Sequence, residues 1–233
     1  MKILDAQARA VLGGSLVFQK MTLEELDKVL AGAVERRFAR GTTILRRGDP
    51  GVGMFFIAKG RVRVSLISEE GKEVTLSVLG PGETLGEMSL IDGEDCSADA
   101  AALEDCLLIF IERTRFLYLL RNDVELCLKL LAVLTGRLRR SNAALEDIAL
   151  LDLPARLGRL LLRLARDFGV RDGSRTRIEV RLTQRDLSNL VGSTREKVNK
   201  QLRQWEHDRV LGKDNGRIVV IQPDSLGMLD SSH

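Results

Sequence analysis

Thr183-Gln184-Arg185-Asp186-Leu187-Ser188-Asn189-Leu190-Val191-Gly192-Ser193-Thr194-Arg195-Glu196-Lys197-Val198-Asn199-Lys200-Gln201-Leu202-Arg203-Gln204-Trp205 is the stretch on which the fold turns. Thr183 with Asp186 caps a short helix carrying Leu187, Leu190 and Val191, and Gly192 supplies a tight turn. Ser193 with Glu196 forms a second capping box, after which Val198, Leu202 and Trp205 recur at i, i+4 and i+7 as a buried face. Two short helices joined through a glycine, the second with a polar outer face, form a helix-turn-helix. Upstream, Ile178-Glu179-Val180-Arg181-Leu182 alternates as a strand. Downstream, Lys213-Asp214-Asn215-Gly216-Arg217 turns into Ile218-Val219-Val220-Ile221, a hairpin placed where a wing belongs.

The second helix carries chemistry suited to a duplex. In this motif its first turn enters the major groove, where side chains reach base edges. Arg195 and Glu196 occupy that turn, with Asn199 and Lys200 one turn further on. An arginine or lysine bonds the two acceptors of guanine, and a glutamate accepts from a cytosine amine. Phosphate would repel Glu196, so its place beside Arg195 points to base reading. Ser193 and Thr194 suit phosphate oxygens, as do the two helix N-termini, and Lys197, Gln184 and Arg185 belong to the same expected DNA-binding surface. The competing reading, an amphipathic pair with a solvated charged face, does not account for two caps, a glycine turn and a wing in this order.

Further upstream the chain reads as helix. Asp152 before Leu153-Pro154 stops one helix and caps the next, whose buried stripe is Leu157, Leu160, Leu161, Leu164 and Phe168. Gly169 and the turn Asp172-Gly173-Ser174 end it. Before the stop, Val124, Cys127, Leu131, Leu134, Leu138, Ser141, Leu145 and Ile148 alternate in steps of three and four, the seam of a two-stranded coiled coil. A single helix packed on its own domain is the alternative. The seam outruns any sensor core able to cover it, so a homodimer is expected. Ser141, the polar seam position, would set register or touch a ligand.

The N-terminal half has another rhythm. Thr22 with Glu25 caps a first helix carrying Leu23, Leu26, Val29 and Leu30. From Phe38 to Leu79, short runs alternate between glycine turns: Thr42–Leu45, Met54–Ile57, Arg61–Ile67 and Val74–Leu79. Cys106–Ile111 closes this antiparallel barrel or roll. The expected fold is α+β: a β-roll sensor domain over 1–123, a dimerisation helix and hinge over 124–152 centred on Leu151-Asp152-Leu153, and a winged helix-turn-helix over 153–233.

Composition excludes other classes. The 233 residues suffice for two modest cores, and no apolar run approaches the ~20 residues of a membrane span, so no membrane partner is expected. Met1-Lys2-Ile3-Leu4-Asp5 lacks the apolar core of a signal peptide, which makes a cytoplasmic address the expectation. Acidic and basic residues balance through Phe168, so the whole net charge of +3 lies beyond it, where a polyanion would bind. Three cysteines and two histidines (His207 and His233) offer neither a disulfide framework nor a metal site. No nucleophile–base grouping or phosphate loop appears, so an enzyme is not expected.

These features together resemble the CRP/FNR family of bacterial transcription regulators, those of the cAMP receptor protein type in particular, over nearly the whole chain. The most specific match is Gly192–Lys200, which is similar to the family's recognition helix. The resemblance places Arg195, Glu196 and Lys200 on base-reading positions and implies a palindrome with TGTGA-like half-sites. Lys200 stands where arginine is usual, which softens the preference at one base. It further implies a small effector in a cyclic-nucleotide-binding-like β-roll, RNA polymerase as a partner, and a two-state switch that brings paired recognition helices to a spacing of about 34 Å.

The effector pocket departs from the pattern. Gly86-Glu87-Met88-Ser89-Leu90 resembles the start of the phosphate-binding cassette, with Glu87 on the ribose, and Ser97-Ala98 resembles its end. The phosphate-pairing arginine is here Cys96, and residues 83–105 hold eight acidic side chains and no lysine or arginine. A thiol supplies no cation for a buried phosphate. Ser141 and Asn142 match the polar pair that contacts the base, and Arg137 lies one turn before them. Cyclic AMP is therefore expected to bind weakly or not at all; cyclic di-GMP is an alternative within the family, burdened by a second phosphate. No cysteine precedes Cys96 and the sensor has no histidine, so neither an iron–sulfur cluster nor haem is expected. A cyclic-nucleotide-binding regulatory subunit acting through protein contacts is the competing function, and such a subunit has no use for Arg195, Glu196 and a wing.

Overall fold

The computed structural model describes residues 11, 13–15, 26–27, 30 and 32–227. The Thr22–Glu25 cap lies outside the described residues. Contacts divide the chain into two compact units, Met1–Arg139 and Arg140–His233.

Among the described residues of the first unit, eight strands form two antiparallel sheets. One has the order β1 (Val34–Phe38), β8 (Cys106–Glu112), β3 (Gly53–Lys59), β6 (Thr84–Leu85). The other runs β2 (Thr43–Leu45), β7 (Asp99–Ala102), β4 (Val62–Ile67), β5 (Glu73–Leu79). Cys106–Glu112 does not close the sheet as expected; it is an inner strand, paired with β1 on one side and β3 on the other. Its near-continuous apolar run reflects burial of both faces, Leu108 in one core and Ile109 and Ile111 in another, because a strand covered on both faces need not alternate.

β3 shows the same thing residue by residue. Phe55 and Ile57 join Val62, Leu79, Leu85, Ala100 and Leu108 in one core, which draws on both sheets. Met54, Phe56 and Ala58 face the other way, into a second core with Ile109, Ile111, Leu90, Phe116, Leu126, Leu130 and Val133. The period of two in side-chain direction thus feeds two cores from one strand. The second core seats α1 (Glu87–Asp92), α2 (Arg113–Asn122) and the start of α3 (Val124–Leu150), and the helical residues Leu26 and Leu30 join it. Asp123 caps α3, its carboxylate accepting from Leu126 N at 2.9 Å.

α3 has two apolar faces. Leu126, Leu130 and Val133 are buried in the second core. Val124, Leu128, Leu131, Leu138, Leu145 and Ile148 remain exposed, with Cys127 and Leu134 half-buried. The expected seam is therefore uncovered in one chain.

In the second unit, Asp152 N-caps α4 (Leu153–Phe168), accepting from Ala155 N at 2.9 Å with Pro154 in the first turn, as expected. Leu157, Leu160, Leu161 and Leu164 are buried and Phe168 is half-buried. Four strands, β9 (Gly169–Asp172), β10 (Arg175–Ile178), β11 (Leu211–Asp214) and β12 (Arg217–Val220), form a sheet of order β11-β12-β10-β9. The strand expected over Ile178–Leu182 lies earlier, at Arg175–Ile178, because Asp172-Gly173-Ser174 turns a hairpin that pairs β10 with β9. Ile178 and Val180 are buried all the same, which explains the alternation. Two further helices of this unit, α5 (Gln184–Val191) and α6 (Arg195–His207), lie between β10 and β11 in the chain. The short α7 (Pro223–Gly227) packs on α4 where Gly158 allows close approach: a Cβ there would lie 2.8 Å from Leu226 O. No helix among the described residues is long and apolar enough to cross a membrane.

Candidate nucleic-acid interface and effector pocket

The two expected helices of the motif are α5 and α6. Thr183 and Asp186 form the reciprocal capping box: Asp186 N donates to Thr183 Oγ1 at 3.1 Å, and Thr183 N to Asp186 Oδ2 at 2.7 Å. Gly192 ends α5 in the left-handed region at φ 62°. The second cap shifts by one residue. Thr194, not Ser193, is the N-cap, its hydroxyl accepting from Lys197 N at 3.4 Å. Glu196 does not close a capping box with Ser193; its carboxylate takes its own backbone N–H and the Thr194 hydroxyl. Those two bonds, followed by the Arg195 charge, hold the Glu196 carboxyl below the usual carboxylate range. An ionised acceptor is thereby presented from the first turn of α6.

Val198, Leu202 and Trp205 anchor α6 from its inner side. Its outer side carries Arg195, Glu196, Lys197 and Lys200, all exposed, with Asn199 half-buried among them. A depression of about 410 Å³ is lined by Glu196, Asn199, Lys200, Arg203 and Gln204. Arg203 and Gln204 were not among the expected site residues; the signal was present, since Arg203 follows Asn199 by four and Lys200 by three. On α5, Arg185 is exposed and Gln184 half-buried, and Gln184 Nε2 donates to Asn199 Oδ1 at 2.7 Å. Ser193 is half-buried and Thr194 exposed at the turn.

The wing forms as read. Asn215 (φ 48°) and Gly216 (φ 77°) turn β11 into β12 with two successive left-handed residues. Around it, Arg177 pairs with Glu179 (2.6 Å) and Asp214 (2.7 Å), Arg217 with Glu179 (3.2 Å), and Lys213 with Glu206 (2.6 Å). Those cations are internally matched, and the cations of the outer face of α6 stand apart from that network.

In the first unit, Gly86 precedes α1 at φ 85°, and a Cβ there would lie 2.8 Å from Gly53 O, so only glycine fits. Glu87 is buried at 2% exposure. Arg137, on the part of α3 within this unit, donates to Glu87 Oε1 and to the Thr84 carbonyl, and reaches Thr84 Oγ1 at 3.2 Å. Arg137 Nε is buried with no partner. Thr84 completes this group and was not expected from sequence. Cys96 is buried at 6% exposure, its sulfur 3.9 Å from Ser89 Oγ. Ser97 and Met88 are exposed, the Ser97 hydroxyl lying 3.7 Å from the Met88 sulfur. Ser141 and Asn142 are exposed positions of α3 that fall in the second unit.

Residues 35–123 match the cyclic nucleotide-binding domain family, and residues 155–229 the Crp-like helix-turn-helix domain family. The chain is 34% identical to a CRP-like cAMP-activated global transcriptional regulator of Mycobacterium tuberculosis, over 81% of this chain and 84% of that protein. It is 32% identical to the cyclic AMP receptor protein of Thermus thermophilus, over 89% and 93% respectively. A solved CRP/FNR-family transcriptional regulator, also from Thermus thermophilus, superposes with a TM-score of 0.71 at 26% identity, covering 85% of this chain and 99% of that one.

Proposed function

Because the chain belongs to the CRP/FNR family of transcription regulators, we propose that it binds a palindromic operator as a homodimer and is controlled through its β-roll by an effector other than cAMP. It is a DNA-binding regulator rather than an enzyme, as its relatives are. The observation that carries the sequence-specific reading is the outer face of α6, where Arg195, Glu196 and Lys200 stand exposed on a helix capped by Thr194. Arginine and lysine match guanine acceptors and glutamate a cytosine amine, which suits TGTGA-like half-sites. Two such helices, related by a two-fold axis, fit half-sites whose centres lie about 10.5 bp apart.

The exposed row Leu131, Leu138, Leu145 and Ile148 supports the homodimer. Burying each such side chain contributes about 2 kcal/mol, which a partner helix would recover. A cytoplasmic site of action and contact with RNA polymerase accompany this reading.

Cys96 sets this chain against cAMP. A cyclic phosphate in the α1 cassette would find a buried thiol where a cation is needed, and Glu87 already engages Arg137. The M. tuberculosis relative is described as cAMP-activated, but cAMP would bring this chain an uncompensated charge. Cyclic di-GMP would bring two.

Fluorescence anisotropy tests the reading directly. A labelled duplex with two TGTGA half-sites should bind at least about 10³-fold more tightly than its scrambled counterpart, with two chains per duplex. Equal affinity for both duplexes would refute it.

A further inference from the structure

Gln184 and Asn199 belong to different helices of the motif, at the first position of α5 and the fifth of α6. Their amides are joined by the 2.7 Å bond from Gln184 Nε2 to Asn199 Oδ1. Resting on the DNA-binding reading above, we infer that this pair acts as one composite reading group selecting an A·T base pair in each half-site, beyond the pairs read by Arg195, Glu196 and Lys200.

Hydrogen-bond capacity sets what the pair can recognise. A primary amide carries one carbonyl acceptor and two N–H donors. The mutual bond uses one donor of Gln184 and one lone pair of Asn199. Among the described residues, neither amide makes another hydrogen bond, and neither leaves an atom buried without a partner. Gln184 Oε1 and the Asn199 Nδ2 group thus keep hydrogen-bonding capacity that the mutual bond does not use, one as an acceptor and the other as a donor. Adenine shows the complement in the major groove, an N7 acceptor beside an N6 donor, whereas guanine shows two acceptors and would meet Gln184 Oε1 with its O6. Exchanging the oxygen and nitrogen of both amides changes which residue supplies which group, but the pair still offers one donor and one acceptor.

Position and rigidity agree. Asn199 lines the depression with Glu196 and Lys200, so the pair sits beside residues already assigned to base edges. A lone asparagine would have to order its own amide on binding. Here the bond from Gln184 orders it beforehand, so less entropy is lost when DNA arrives. The pairing also ties the reading surface to the first turn of α5, which the Thr183–Asp186 box holds in place.

The test is a set of duplexes in which each base pair of one half-site is replaced in turn, measured with the full chain, Asn199→Ala, Gln184→Ala and the double variant. The wild-type chain should prefer A·T over G·C at one position by about 5- to 150-fold. Each single variant should abolish that preference at that same position and spare the others, and the double variant should lose no more than either single. Asn199→Asp, which keeps the size but removes the donor, should lose the adenine preference with the fold intact, as circular dichroism would report. The inference is overturned if Asn199→Ala weakens all duplexes equally, or if the two single variants act at different positions. A wild-type chain with no preference for any half-site would instead overturn the DNA-reading assignment beneath it.

Discussion

Arg159 Nη1 donates a 2.6 Å hydrogen bond to the carboxylate of Asp147, whose side chain is only 5% exposed. Arg163 takes the other carboxylate oxygen at 2.7 Å. Asp147 lies in the last turn of α3 and both arginines on α4, so the three clamp the two helices across the Leu151–Leu153 connection within the second unit. Arg159 and Arg163 are about a third exposed and can rehydrate if the acid is lost. Asp147→Ala should therefore cost about 2 kcal/mol, below the range for a fully buried pair. Trp205, the single tryptophan, is buried on α6 and reports urea unfolding of this unit by fluorescence. A change under roughly 0.5 kcal/mol would mean that the clamp contributes nothing.

Cyclic AMP should show no saturable binding at micromolar concentrations by calorimetry. Cys96→Arg restores the missing cation at the cassette and should raise affinity for cAMP by at least about tenfold, the gain of one charge-assisted hydrogen bond. Tight cAMP binding by the unaltered chain would show that the phosphate is compensated elsewhere.

The Glu196 carboxyl sits below its ordinary range, so its charge is present above the usual carboxylate pKa of about 4.3 and is lost only as pH falls through the lower folded value. Relative preference at the base pair read by Glu196 should accordingly be unchanged between about pH 8 and about pH 5.5. Glu196→Gln, which adds a donor beside the acceptor, should relax that preference at every pH. A preference that faded over that interval would place the acceptor elsewhere.

Two glycines separate backbone strain from crowding. At Gly192 (φ 62°) the nearest atom to an added methyl group is Ile148 Cδ1 at 4.0 Å, so Gly192→Ala should cost only the left-handed backbone penalty, about 1 kcal/mol. At Gly158 the methyl would meet Leu226 O at 2.8 Å, and α4 and α7 must move apart. Gly158→Ala should be the more destabilising of the two, at roughly 2 kcal/mol or more by Trp205 fluorescence. The reverse order would contradict the close approach at Gly158.

What the sequence made legible follows the range of the interactions involved. The Thr183–Asp186 cap, the Gly192 turn, the Asp152 cap and the Asn215-Gly216 hairpin are each set by residues within a few positions, and each forms as read. The Ser193–Glu196 box failed by one residue because two adjacent hydroxyls can both cap, and only the geometry of the turn selects Thr194. β7 (Asp-Ala-Ala-Ala) escaped because alanine carries no strand signal; its sheet neighbours β2 and β4 impose the strand. Long-range pairings were the hardest. Arg137 could be placed near the pocket from helical spacing, but its bonds to Thr84 and Glu87 span about fifty residues of chain. Gln184 and Asn199 were each legible as surface amides, and nothing local indicated that they bond to each other.

On the proposed function, α6 reads bases rather than merely meeting phosphate. The most direct measurement compares the full chain with Arg195→Ala on a two-half-site duplex and on random duplex at one salt concentration. Base reading predicts that the variant loses about 1–3 kcal/mol on the specific duplex, relaxes preference at one base pair, and binds random DNA almost as before. Equal weakening on both duplexes would contradict it and leave Arg195 as a phosphate contact.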